Sequence, residues 1–400
     1  MQTRTRIIRL VLGQGRFRLS AEAMLVAACC RWPRSAARDA AIRRAAAEPI
    51  DWQRLRTLAA RHRVEGFVHD GLLAAKIELP AELQRELRGR SRQIAARSLA
   101  LATTTLAIVG TLRAAGIRAL AFKGSSIEKL AYGELGLKSA RDIDVIVARE
   151  DLVRAGDALQ AGGWRRIAPP PGMAPHLLER YFDCCKDAAF VHEERGVRLE
   201  LHHSLVGPGA LQTIGAASPA RDVELFPGQA VPTFEAGDLF VYLCVHGAIH
   251  HWWRLKWLAD FAALIARRPA DEIARLHAVA CDRGAGRFSG QALLLTHHLL
   301  GVPLPGALRA ELERDRRIGR MCARSLAAIE HGQTRLDLRG MWEAFVEDTR
   351  LGGGWRSGAR ALRRYFVSPE DLVRVPLPER LFFLYYVLRI PLFLVRRVFG

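Results

Sequence analysis

The sequence predicts an α+β fold: a small mixed-sheet α/β core flanked by N- and C-terminal helical domains. Three observations predict it. Apolar residues recur at helical spacing through residues 20–113 and again beyond residue 234. Between those stretches, short β-type runs alternate with turns of Gly, Ser and Pro. The 400 residues, half hydrophobic and a quarter charged, exceed one ordinary core yet have the balance of a folded chain. The expected divisions are a helical domain (1–115), the α/β core (116–233), a second helical domain (234–350), and a joint with an apolar tail (351–400).

In the first division, Asp51 stands as an N-cap before Trp52–Ala60, whose apolar positions repeat at helical spacing. Leu99–Leu112 continues the pattern, and Ala115-Gly116 closes it, glycine being the usual residue past a helix end. The texture changes at Ile117. Ile117–Phe122 reads as a strand, Lys123–Ser126 as a loop, and Ile127–Tyr132 as a helix. Asp142–Val147 is the second strand, followed by a helix over about Asp151–Ala161 and a third strand over Trp164–Ile167. Ala188–Val191 and Val197–His202 form a hairpin turning at Glu194-Arg195-Gly196. From about Phe234 the chain is helical again, with Leu239–Ala266 the strongest segment. Gly352–Gly354 marks a joint before the last piece.

The formal charge is +19, from 60 Lys+Arg against 41 Asp+Glu, which favours anionic partners such as nucleotides, nucleic acid or anionic lipid. The arginines are spread along the chain, so the charge permits a phosphate-bearing substrate without proving nucleic-acid binding. Seven cysteines without CxxC spacing fit a reducing, cytoplasmic setting better than a disulfide framework. The basic N-terminus lacks the apolar core of a signal peptide. Leu381–Val395 is the most apolar stretch, but Arg389 and Pro391 interrupt it below the roughly 18 residues a spanning helix needs. It reads as a buried terminal helix, with a peripheral membrane contact through the tail as the alternative.

Side chains alternate along a strand, so Asp142 and Asp144 share one face while Ile143, Val145 and Val147 take the other. Two carboxylates so placed repel unless a cation lies between them, which makes the pair a cradle for a divalent metal with oxygen ligands. In the later strand, Arg198, Glu200 and His202 share a face opposite Val197, Leu199 and Leu201. If that strand lies beside the first, Glu200 meets the aspartates and three carboxylates can hold one or two Mg²⁺ or Mn²⁺ ions. Asp183, Asp187, Glu193 and Glu194 are rivals for the third place; face parity favours Glu200. Lys123, Gly124, Ser125 and Ser126 lie between a strand and a helix start. There Gly lets the backbone approach an anion and the helix amides point at it, a candidate phosphate cradle.

The run from Phe122-Lys123-Gly124-Ser125-Ser126 through Tyr132, Lys138 and Arg141 to Asp142-Ile143-Asp144-Val145-Ile146-Val147 resembles the polymerase-β-type nucleotidyltransferase superfamily. More narrowly, it resembles the bacterial uncharacterised nucleotidyltransferases. Asp51-Trp52 with Ala59–Val64 is similar to that family's N-terminal helices, Leu199–His202 to its third-carboxylate strand, and His246 through Arg254–Asp260 to its C-terminal helix, so the resemblance covers most of the chain. Lys138 stands where Arg is expected, and sixteen residues separate Ser125 from Asp142, longer than the superfamily's compact spacing. The resemblance implies transfer of a nucleoside monophosphate from an NTP, expected to be ATP, to an acceptor hydroxyl of a small molecule, glycan or peptide. It implies that Asp142 and Asp144 hold the metals and that Glu200 completes the site and helps deprotonate the acceptor. Ser125 and the loop amides would hold the leaving phosphates, and Lys123, Lys138 or Arg141 would neutralise developing charge. A silent nucleotide-binding protein and a toxin-like transferase acting on tRNA or protein are the alternatives.

His246, His250, Arg254 and Trp257 are expected close to one face of a helix. A packed helix bordering the cleft is the preferred reading, over metal ligation by the two histidines, since no HExxH pattern accompanies them. Core packing is expected for at least two of Trp252, Trp253 and Trp257, and Asp260 is expected to pair with Arg254 or Lys256. His202 is expected to orient a ligand, and His203 to point to the core side. The sequence leaves the oligomeric state open.

Overall fold

The structure is a computed structural model that describes residues 7–8, 17–205, 211, 213–332, 369–385 and 388. Its elements run in the order β1 (Ile7–Ile8), β2 (Phe17–Arg18), α1 (Ala21–Cys29), α2 (Ala36–Ala46), α3 (Trp52–His62), α4 (Glu65–Ala74) and α5 (Ala81–Ala114). There follow β3 (Ala119–Ala121), α6 (Ser125–Tyr132), β4 (Asp142–Val147), α7 (Leu152–Ala161), β5 (Arg165–Ala168), α8 (Pro175–Cys184), β6 (Asp187–His192) and β7 (Val197–His202). The rest are β8 (Ala220–Phe226), β9 (Gln229–Phe234), α9 (Ala236–Ile249), α10 (Leu255–Ile265), α11 (Ala270–Asp282), α12 (Gly286–Leu295), α13 (Gly306–Arg314), α14 (Arg316–His331) and α15 (Pro369–Arg374). This is the α+β chain the sequence predicts, a small mixed sheet with flanking helices.

The chain forms two compact units. The first comprises Met1–Leu106, Phe122–Arg141 and Pro219–Arg335; the second comprises Ala107–Ala121, Asp142–Ser218 and Leu336–Gly400. Residues 116–233, expected as one core, contribute to both. The Gly352–Gly354 joint and most of the Leu381–Val395 stretch lie outside the described residues.

The first unit is helical, with a β8–β9 hairpin added to it. Asp51 caps α3 as expected, its Oδ1 accepting the Arg54 amide at 3.0 Å. The hairpin and α8 carry no expectation from the sequence, although Pro227-Gly228 between alternating residues is a turn signal and Gly228 does take a positive φ of 72°. The expected Leu239–Ala266 helix is in fact two, α9 and α10, broken over His250–Arg254. His251 and Trp252 turn left-handed there (φ 50° and 49°), and the Trp252 ring, 1% exposed, folds back onto α9. A side chain at Gly247 would sit 2.2 Å from that indole, so only glycine admits it. Burial of the largest side chain overrides helix propensity.

The second unit is built on a five-stranded sheet in the order β3-β4-β7-β6-β5. β4 and β7 are parallel; the other pairs are antiparallel. One face carries Ile143, Val145, Leu199, Leu201 and Phe190, each at most 3% exposed. On α7, Leu152, Ala155 and Leu159 are buried, and a side chain at Gly156 would meet the Phe190 ring at 3.4 Å, so this helix covers the apolar face. The other face is left for polar groups.

Candidate active site

The polar face assembles through register. The parallel pair sets Asp142 opposite Arg198 and Asp144 opposite Glu200, and facing residues of neighbouring strands share a sheet face. The antiparallel β6 sets Asp187 opposite His202, adding a fourth acid. His202 Nε2–H donates to Asp144 Oδ1 at 3.0 Å and lies 3.6 Å from Glu200 Oε2 and 3.8 Å from Asp187 Oδ2. The Lys186 ammonium bridges Asp187 at 2.6 Å and Glu200 at 3.3 Å. The ligand atoms of Asp144, Glu200 and His202 all lie within 4.8 Å of one another, a group able to hold a metal ion.

The His202 ring beside it holds the Glu200 carboxyl well below the ordinary carboxylate range, at about 2. The Lys186 charge acts in the same direction, while burial and the Asp144 charge push back. The carboxylate therefore stays ionised through the neutral range.

Of the sequence-derived metal ligands, the structure brings Asp144 and Glu200 together. Asp142, half-buried at the first residue of β4, shares their face but lies outside the grouped ligand atoms. His202, expected only to orient a ligand, sits at the centre of the cluster, because its ring spans from β7 back to Asp144. Lys186 was missed; its one signal was a cation preceding the strand that carries Asp187. His203 is half-buried, and its Nε2–H donates to the Cys185 carbonyl at 2.8 Å.

The expected phosphate-binding residues belong to the first unit. Gly124 takes a φ of 59° and opens α6, which begins at Ser125, two residues earlier than expected. Lys123 Nζ lies over the Phe122 and Tyr242 rings at 5.3 and 5.8 Å. Ser125 is 5% exposed, while Ser126 is fully buried, its hydroxyl without a hydrogen-bond partner among the described residues. Lys138 is also buried, its Nζ 2.6 Å from Asp260 Oδ2, and the Tyr132 hydroxyl donates to Asp260 Oδ1 at 3.0 Å. Asp260 thus pairs across the unit rather than with Arg254 or Lys256 of its own neighbourhood. Arg141 is exposed, and its backbone carbonyl accepts from Arg97 Nη2 at 3.3 Å.

In the same unit the aromatic residues form a ladder. Tyr242 stacks on His246 at 5.5 Å and His250 stacks on Trp257 at 5.2 Å, with the two imidazoles edge to face at 4.8 Å. The Arg254 guanidinium lies 4.1 Å from the Trp253 ring centre. Trp252 is core, and Trp253 and Trp257 are half-buried.

The donor set on the polar sheet face fits a divalent cation: two carboxylates supply hard oxygens, and the imidazole adds a nitrogen that suits Mn²⁺ better than Mg²⁺. A search of the curated proteins finds no match to the chain. A family model described as uncharacterised nucleotidyltransferase matches residues 48–301, well over half of the sequence, and spans every acid and base of the site described above. By that match the chain belongs to the uncharacterised nucleotidyltransferase family.

Proposed function

We propose that the protein is a metal-dependent enzyme that moves a nucleoside monophosphate from an NTP to an acceptor hydroxyl of a small molecule, glycan or peptide. The observation that carries this reading is the convergence of Asp144, Glu200 and His202 on one sheet face in a chain of this family. Mg²⁺ or Mn²⁺ is the cation and ATP the expected donor. When bound, the cation would offset charge developing on phosphoryl oxygens. Asp144, Glu200 and His202 would hold it, with Asp142 available on the same face as a further oxygen donor. Lys186 keeps Glu200 and Asp187 from repelling each other, and its ammonium is within reach of an anion drawn to the cluster. Lys123 and the Gly124 backbone, half-exposed at the start of α6, are the groups of the expected phosphate loop that solvent reaches. The seven free thiols support a reducing, cytoplasmic setting.

The test is NTP consumption with each NTP and Mg²⁺ or Mn²⁺, wild type beside Asp144→Ala and Glu200→Ala, followed by mass spectrometry of candidate acceptors. A metal-dependent signal lost in both variants is expected. Equal signals from all three proteins would remove the enzyme reading.

A further inference from the structure

One cavity of the first unit concentrates positive charge. It encloses about 330 Å³ between α5 and residues 139–141, within the range of roughly 300–1,000 Å³ typical of small-molecule sites. Arg90, Gln93, Ile94 and Arg97 reach it from α5 at spacings of three, four and seven residues, which puts them on one helix face. Arg141 closes the opposite side with Ser139 and Ala140. Three guanidiniums, an amide and a hydroxyl line this space, and no carboxylate does.

The cations are positioned by the protein itself. Arg90 Nε donates to the buried Glu65 carboxylate at 3.1 Å, and Arg90 Nη1 to Gln93 Oε1 at 3.2 Å. Arg97 Nη2 donates to the Arg141 carbonyl and so ties one wall to the other. The Arg141 guanidinium itself has no hydrogen bond or ion pair among the described residues and is solvent-exposed. A guanidinium is always charged and presents a planar fork that fits phosphate oxygens two at a time. One carboxylate carries a single charge and two oxygens. A phosphoryl group carries close to two charges and three oxygens, and matches three forks around one polar space better.

We propose that this cavity binds a phosphoryl group of a substrate, either the triphosphate of the NTP or a phosphate carried by the acceptor. The choice of ligand rests on the nucleotidyltransfer reading. Binding through the arginines needs no divalent cation, so it is separable from the carboxylate cluster.

The experiment is titration calorimetry in EDTA with pyrophosphate, ATP and ribose 5-phosphate. The proteins are wild type, Arg97→Gln, Arg141→Gln, Arg97→Lys and, as control, Arg92→Gln, an exposed arginine of α5 outside the cavity. Arg141 is exposed, so its replacement leaves the fold intact, which a thermal melt verifies. Wild type is expected to bind at least one probe in a salt-sensitive manner. Arg97→Gln and Arg141→Gln should each weaken that binding by about tenfold or more, Arg97→Lys by less, and Arg92→Gln not at all. Weakened ATP binding assigns the donor triphosphate; weakened ribose 5-phosphate binding alone assigns a phosphorylated acceptor. Absence of binding by wild type, or unchanged binding by both glutamine variants, overturns the proposal. Asp144→Asn should lose turnover yet keep anion binding in EDTA. Normal turnover by Asp144→Asn, with the arginine effects intact, would sink the carboxylate reading and leave the cavity standing.

Discussion

Each unit buries an aspartate beside a basic side chain, and the two arrangements are balanced differently. Asp260 in the first unit meets one ammonium, Lys138, and one hydroxyl, Tyr132, with both members of the ion pair nearly sealed from solvent. Burial pushes the Tyr132 phenol well above its ordinary pKa, and Asp260 adds to the effect, so the phenol remains a donor. Asp144 in the second unit shares one imidazole with Glu200 and Asp187, and Lys186 reaches only the latter two. There three carboxylates gather on one sheet face, and Glu200 and Asp187 are about a fifth exposed, at 23% and 21%. A matched, sealed pair is a strut. A cluster of carboxylates partly open to solvent is a place for a cation.

The largest effect should come from breaking the strut. Lys138→Met leaves Asp260 buried without its cation and should cost about 3–5 kcal/mol in urea denaturation, much of it recovered by adding Asp260→Asn. A loss below about 1 kcal/mol would mean that the pair does not carry the first unit. Breaking the open cluster should instead cost chemistry. Glu200→Gln is expected to lower NTP turnover by roughly 10²–10³-fold, the usual result of removing one group that serves charge stabilisation. Mn²⁺ binding followed by electron paramagnetic resonance should weaken with it.

Acid should also separate the units. Burial holds His62 of α3 at about 3, so the folded state keeps it neutral while an unfolded chain takes up a proton below about 6.5. Its contribution is present above pH 6.5 and is lost as pH falls toward 3. Glu200, held at about 2, contributes above its ordinary value of 4.5 and loses that as pH falls toward 2. Hydrogen exchange in EDTA should therefore show α3 losing protection at a higher pH than β7; the reverse order would contradict both assignments. The smallest effect is expected at Lys186. Lys186→Met removes an internal competitor for Glu200 and Asp187, so Mn²⁺ should bind several-fold tighter by calorimetry, and weaker binding would show that the ammonium organises the acids instead.

Much of the site was legible because strand parity is a local property. Asp144 and Glu200 lie where a period of two puts them, and Val145, Leu199 and Leu201 turn to the buried face as expected. The helix cap at Asp51 and the hairpin at Gly196 were equally local. The break between α9 and α10 was not legible, since no Pro interrupts residues 236–265 and the turn is imposed by Trp252 docking on Gly247. The β8–β9 hairpin did leave a trace in Pro227-Gly228, and reading it would have moved that segment out of the strand-poor stretch before Phe234.

The chain by itself determined which residues carry charge and which strand face each occupies, because those follow from composition and from periods of two and 3.6 residues; the family came from the resemblance of its motifs, Phe122–Ser126 through Asp142–Val147, to known nucleotidyltransferases. Only the tertiary structure decided that β4 and β7 run parallel with Asp144 facing Glu200, that His202 joins them, and that Lys138 is spent on Asp260. These are pairings between residues 56 or more positions apart, as from Asp144 to Glu200. Nothing in local propensity selects among partners at such distance; the packing of buried side chains does.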